Sequence, residues 1–213
     1  MNLDTETGIS YPTPHALSPE PAPVDIVKLA DGTDPNWVGY NIPWHPASFL
    51  KPITHFQCFS PTKAPPLKNI TDVWMTFISP EERFTTEMLG SIADHWHRMP
   101  ENYRPKSVWN SAVLPAIALQ AATQGTQMKA YSTSFGYPTL SLHMEVKKVL
   151  PPQGVKWLFM RARSTEIKNG RFDAEIIIMD EKLELVALSH QVCHIIKSAQ
   201  IPDDGKMVKA GKL

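Results

Sequence analysis

The sequence predicts an α+β fold in which one apolar helix packs on an antiparallel sheet. Three observations carry this. A strand-like segment, TDVWMTFI, is followed at once by a capped helix signal, SPEERFTTEMLGSIADHWHRMPENY. Further on, four strand-like segments follow one another with turn signals between them. The first of these alternates apolar and polar residues, as strands buried on one face do. A helix laid over such a sheet is a stable two-layer arrangement.

The elements follow in order. Residues 1–38 are dense in Pro and in acidic or polar residues, with a short apolar patch at VDIVKLA. That composition suits a linker or peripheral arm. From Trp37 to Ser60 the chain is aromatic-rich, and its prolines argue against a long helix; ITHFQCFS reads as an edge strand. PTKAPPLKN is a loop, and Thr71–Ile78 a strand. Ser79 then fits an N-cap, Pro80 the first helical position, and Glu82 completes a capping box. Phe84, Met88, Leu89, Ile92, Trp96 and Met99 follow at helical spacing. Pro100 limits this long helix. NSAVLPAIALQAATQ is a second, Ala-rich helical stretch interrupted by Pro115.

The strand run comes next. In YPTLSLHMEVKKV, Leu140, Leu142, Met144 and Val146 alternate with Thr139, Ser141, His143, Glu145 and Lys147. PPQG turns the chain into VKWLFMRARSTEI. Asn169-Gly170 is a strong hairpin signal, and FDAEIIIMD returns antiparallel. EKLE turns again into LVALSHQVCHII. There Gln191 shares an alternation row with Leu185, Ala187, Cys193 and Ile195. An amide in a buried row costs free energy unless it is hydrogen-bonded. No internal repeat is present.

Composition narrows the function classes. Lys+Arg and Asp+Glu balance at 21 each in 213 residues, so no global field draws nucleic acid or anionic membrane. Cys58 and Cys193 are the two cysteines. They form no CxxC, which fits a reducing compartment. The N-terminus lacks the basic and apolar regions of a signal peptide, and no apolar run is long enough to span a bilayer. The expected location is cytoplasmic. The terminal Gly211-Lys212-Leu213 departs from a Ser-Lys-Leu import signal at its first position, which makes a peroxisomal location the alternative. There is no G-x-S-x-G, P-loop or G-x-G-x-x-G. His95 and His97 are two apart on a helix and cannot face one ligand. His190 and His194 share a strand face but lie far apart along it. All four read as structural or surface histidines.

Several pieces together carry a family resemblance: the PTLSLHMEV strand, the Trp of KWLFMRARS, the NGR hairpin, D-x-x-x-x-LVA-x-x-x-Q, and upstream DVWMTFISPEERFTTEMLGSIADHW. In this order, from about Trp74 to Ile196, they resemble the last hotdog repeat of type II acyl-CoA thioesterases and their fungal thioesterase-like relatives. The resemblance implies a hotdog fold, a curved antiparallel sheet wrapped around a long central helix. It divides the chain into a Pro-rich inter-hotdog arm (1–38), an extended segment with a remnant strand (39–70), a hotdog domain (71–200) and a tail (201–213). The family usually carries two tandem hotdogs. The chain is therefore expected to begin in the linker between them, as a shortened or truncated member, with ITHFQCFSP as the strand closing the first repeat. A lone hotdog exposes a sheet edge and one face of its helix, so a homo-oligomer, in the simplest case a dimer, is expected.

The family holds and activates a water with a helix Asp, a strand Thr or Ser and a last-strand Gln. By motif these are Asp94 in SIADHW, Thr139 in YPTLS and Gln191 in LSHQV. A carboxylate takes the water's proton, and a hydroxyl and an amide orient it. Other readings of these residues stand beside this one. Asp94 shares its side of the helical wheel with Arg98 and suits a solvated i,i+4 pair. Thr139 suits an ordinary strand residue. An edge strand would let water serve Gln191. Arg161, Arg163 and Arg171 read either as contacts to a CoA phosphate or as solvated strand-face charges. The implied activity is hydrolysis of an acyl-CoA or related acyl thioester without metal or nucleotide cofactor. The alternatives are a natural-product enzyme acting on a polyketide or fatty-acyl intermediate, and a non-catalytic acyl-binding protein. DEKLELVA departs from the family in lacking the Gly often found at its turn.

Overall fold

Strand β3 (Ile70–Phe77) is largely buried on both of its alternation rows, and it sits inside the sheet. The computed structural model describes residues 15–41, 51–63, 66–95, 99–103 and 135–197, with Ile9, Tyr11 and Thr13 besides. The predicted helical stretch NSAVLPAIALQAATQ and the tail with its Gly-Lys-Leu end lie outside the described residues.

The other strands are β1 (Trp37–Asn41), β2 (Phe56–Pro61), β4 (Phe135–Gly136), β5 (Thr139–Val146), β6 (Leu158–Arg163), β7 (Ile167–Lys168), β8 (Arg171–Asp180), β9 (Leu185–His194) and β10 (Ile196–Lys197). The main sheet runs β1-β2-β3-β6-β8-β9-β5, with β7 on β8. Every pairing is antiparallel. β4 and β10 form a separate two-stranded ladder. The four-strand run expected near the end of the chain is present as β5, β6, β8 and β9. β2, expected at an edge, pairs on both sides, because WVGYN supplies the further strand β1.

Both faces of the sheet are covered. Val73, Met75, Leu158, Met160, Ile176 and Ile178 point to one side, where they meet Phe84, Leu89 and Ile92. Trp74, Phe159, Ile177 and Met179 alternate with them and point to the other side. There the Pro-rich arm lies across them with Leu29, Leu17, Val24 and Ile26. Strands buried on one face only, expected from the alternation of β5, therefore do not describe β3, β6 and β8.

Polar contacts pin the arm. Asp25 caps α1 (Ile26–Ala30), accepting from the N–H groups of Val27 and Lys28. Trp37 donates its indole N–H to the Pro23 carbonyl at 3.0 Å. Arg161 makes a bidentate pair with Asp72 at 2.7 and 2.8 Å and donates to the Pro19 carbonyl at 2.5 Å. Arg161 is only 2% exposed. Neither a phosphate contact nor a solvated charge describes it. A charge taken out of water needs a partner, and it finds one on the neighbouring strand. Arg163 and Arg171 are exposed.

Among the described residues the long helix expected from Ser79 is not formed. A 3₁₀ turn at Thr86–Met88 leads into a short helix, α2 (Leu89–Ala93). Ser79 closes a turn instead of capping, its carbonyl accepting from Glu82 N at 3.3 Å. Phe84 is drawn into a bridge with Val155: each N–H donates to the other's carbonyl at 2.9 Å. Gly154 makes this approach possible. Its φ is +74°, and a Cβ there would lie 2.6 Å from Arg83 Cβ and 2.8 Å from the Phe84 carbonyl. Tertiary pairing of Phe84 outweighs the local capping signal and moves the helix start to Thr85–Thr86. Phe84, Leu89, Ile92 and Met99 of the predicted stripe are buried, whereas Met88 is 38% exposed.

The turns follow their sequences. Asn169 and Gly170 both have positive φ, 51° and 68°, as a type I′ hairpin turn requires. The EKLE turn places Leu183 at φ 58°, the conformation a Gly would take without strain. The Asp180 carboxylate holds that turn by accepting from Lys182 N at 2.9 Å and Glu184 N at 3.0 Å.

Candidate active site

Asp94 follows the last residue of α2, with φ −92° and ψ −2°. Ile92 and Ala93 face the core, so the next residue around the helix turns outward, and Asp94 is exposed. Arg98, its suggested ion-pair partner, lies outside the described residues.

Thr139 opens β5. Strict alternation would place it on the face opposite Leu142. The register shows otherwise: Thr139 pairs with Cys193, while Ser141 pairs with Val192. Two steps along β5 match one along β9, so Leu140 is an extra residue, a β-bulge. Bulges re-aim side chains. This one turns Thr139 to the side of Gln191 and Cys193.

Gln191 lies on the inner row of β9 and is 3% exposed. Its row holds Ala187, Ser189 and Cys193. Leu185 leaves that row, because Ile178 pairs with Ala187 and Met179 with Leu185, which makes Val186 a second bulge.

Three elements thus bring the sequence-predicted residues together. Thr139 Oγ1 donates to Asp94 Oδ1 at 2.9 Å. It lies 3.5 Å from Gln191 Oε1. Gln191 Nε2 donates to the Ala93 carbonyl at 2.7 Å and to Ser189 Oγ at 3.4 Å. The short bond to a carbonyl fixes the sense of the amide, because the flipped form would set oxygen against oxygen. Oε1 is therefore the end that faces Thr139. A hydroxyl has one proton, and the distances assign that of Thr139 to Asp94.

An open cavity of about 380 Å³ lies between α2 and the start of β5. Asp94 and Thr139 line it with Gly90, Ser91, His95 and Leu142. Gln191 lies behind this wall, in contact with Thr139. His95, read from sequence as structural or surface, is part of the wall. Its Nδ1 contacts the Ser91 carbonyl, and its ring meets Phe56 edge-on at 6.2 Å.

Cys193 is buried 3.9 Å from Thr139 Oγ1. Burial pushes its thiol up to about 11, against the contact with the Thr139 hydroxyl and with the repulsion of the Asp94 charge. It stays protonated at neutral pH and is no thiolate nucleophile. Among the described residues no group of three His, Cys, Asp or Glu side chains is placed to hold a metal ion, and no helix is long and apolar enough to cross a membrane.

The model of the acyl-CoA thioesterase C-terminal domain matches residues 22–195. The chain belongs to the acyl-CoA thioesterase C-terminal domain family. Among proteins similar to this member, the thioesterase-like protein TwmA of Talaromyces wortmannii is 28% identical over 210 residues, covering 92% of this chain and 58% of that protein. A conserved protein of unknown function with a hotdog fold, from Alicyclobacillus acidocaldarius, superposes with a TM-score of 0.53 at 14% identity, covering 91% of this chain and 60% of that one. The chain of this family member thus spans less than two thirds of the length of both proteins, and its fold is the hotdog.

This family member holds features that sequence reasoning passed over. Ser189 stands two residues before Gln191 on the same row, a signal that period two already carried. The Ala93 carbonyl and the Leu140 bulge had no signal, since both depend on how α2 and β5 meet β9.

Proposed function

We propose that this chain hydrolyses an acyl thioester, an acyl-CoA or a related carrier-bound acyl group, with Asp94 as general base and Thr139 and Gln191 orienting the attacking water. The observation that carries the reading is the set of acceptors gathered around one hydroxyl: Asp94 Oδ1 at 2.9 Å and Gln191 Oε1 at 3.5 Å from Thr139 Oγ1. A water donating one hydrogen to Asp94 and one to Gln191 Oε1 points a lone pair outward into the cavity. That lone pair attacks the thioester carbonyl carbon while Asp94 takes the proton. The tetrahedral intermediate collapses with cleavage of the C–S bond, releasing the acid and the thiolate. The bond from Thr139 holds the carboxylate at a fixed angle to the water.

The experiment is steady-state hydrolysis over a panel of acyl-CoAs, with Asp94→Asn and Gln191→Ala alongside. Loss of one general base or one orienting group lowers kcat by about 10²–10⁴-fold. Unchanged hydrolysis in both variants removes the mechanism.

A second reading, acyl binding without turnover, rests on the 2.7 Å bond from Gln191 to Ala93, which also serves to hold the end of α2. Tight binding of acyl-CoA with no hydrolysis by the wild-type protein selects it.

The sheet edge supports a homo-oligomer. Among the described strands β5 pairs only with β9, and its apolar residues Leu140, Leu142 and Val146 are 56%, 38% and 39% exposed. An open edge of this kind is a template for another strand.

A further inference from the structure

We propose that Ser189 is a positioning residue that fixes the direction of the Gln191 amide, and through it the water; the inference rests on the hydrolase reading above. Gln191 Nε2 lies within donating distance of two acceptors, the Ala93 carbonyl at 2.7 Å and Ser189 Oγ at 3.4 Å. The two anchors differ in kind. Ala93 ends the five-residue helix α2, so its carbonyl moves with that helix. Ser189 belongs to β9, the strand of Gln191 itself, and β9 is paired on both sides, with β8 and β5.

One anchor sets the sense of an amide, nitrogen against oxygen, but lets the plane pivot about the single N–H···O axis. Two anchors define the plane. With both in place Oε1 is held toward Thr139. Ser189 is 1% exposed and Gln191 3% exposed, so solvent does not replace a lost partner readily. Loss of the Ser189 hydroxyl removes one of the contacts that hold the amide, and its orientation loosens. Oε1 then leaves the direction in which it accepts from the water. The cost falls on orientation in the transition state and not on substrate binding, because Ser189 does not line the cavity and meets the site through Gln191.

The test is a double-mutant cycle in the full chain. Ser189→Ala lowers kcat about tenfold with KM unchanged, and Ser189→Thr, which keeps the hydroxyl, retains activity. In a Gln191→Ala background Ser189→Ala has no further effect, since it acts only through that amide. A purely structural role predicts equal losses in both backgrounds, following the folded fraction measured by thermal melting; that result overturns the proposal. A second readout is independent of turnover: the side-chain amide resonances of Gln191, followed by ¹⁵N NMR. Protected, resolved N–H protons in the wild type that become exchange-broadened in Ser189→Ala support the clamp. Identical resonances and exchange in both overturn it. A wild-type protein that hydrolyses no thioester defeats the hydrolase reading, and the amide resonances still decide the clamp.

Discussion

At the residue scale, Thr139 shows how little separates a strand residue from a site residue. Its hydroxyl reaches Asp94 because one extra residue, Leu140, turns it inward. Thr139→Ser keeps the donor and is expected to retain activity within a few-fold. Thr139→Val keeps the shape but removes the donor, and kcat is expected to fall by about 10²-fold, in the range that loss of one orienting group produces. Equal activity of the two variants would remove Thr139 from the mechanism. Gln191 was legible as an amide in an apolar row, which demands partners, whereas Asp94 and Thr139 stood out only through the family resemblance. The partners themselves were not legible. Ala93 contributes a main-chain carbonyl, which no side-chain pattern reveals, and the bulge depends on the packing of β5 against β9.

At the element scale, the turns and loops are held by carboxylates. Asp173 accepts from the N–H groups of Thr165 at 2.8 and 3.0 Å and Glu166 at 2.9 Å, tying the connection between β6 and β7. Burial raises the Asp173 carboxyl, but the N–H donors of Glu166 and Thr165 outweigh it and the net position is below the usual carboxylate range. A group depressed in the folded state contributes stability above its unfolded pKa, about 3.9, and loses it as pH falls through the folded value. Asp173→Asn is therefore expected to be less stable than wild type at pH 7, with the gap closing below about pH 4. Denaturant melts at several pH values check this, and a gap that is independent of pH would contradict it. Strands β2, β3, β5, β6, β8 and β9, the Asn-Gly hairpin and the PPQG turn were legible because their signals are local, whereas β1 was not. Nor was the helix start. Ser79, Pro80 and Glu82 carry a sound capping signal, and it loses to the pairing of Phe84 with Val155 that Gly154 permits.

At the scale of the whole molecule, the sheet is sandwiched between the α2 layer and the Pro-rich arm. Composition alone suggested a peripheral arm, and its apolar residues Leu17, Val24, Ile26 and Leu29 account for its attachment. Arg161 links this arm to the sheet through the Pro19 carbonyl, and it and its partner Asp72 are 2% and 6% exposed. Asp72→Ala leaves a buried guanidinium unpaired and is expected to cost about 3–5 kcal/mol of stability. Replacing both residues by apolar ones of similar size is expected to cost much less, and chemical denaturation separates the two cases. The open edge of β5 makes a second whole-molecule expectation: the solution mass exceeds that of one chain, and a charge at Leu142 lowers it. A monomeric wild-type protein would contradict that expectation.

The account stands on the acceptors gathered around Thr139, and one measurement tests it most directly: hydrolysis of a panel of acyl-CoAs by wild-type protein and by Asp94→Asn of verified fold. The account predicts measurable turnover by the wild type and a loss of about 10²-fold or more in kcat for the variant. Equal turnover by the two proteins would contradict it.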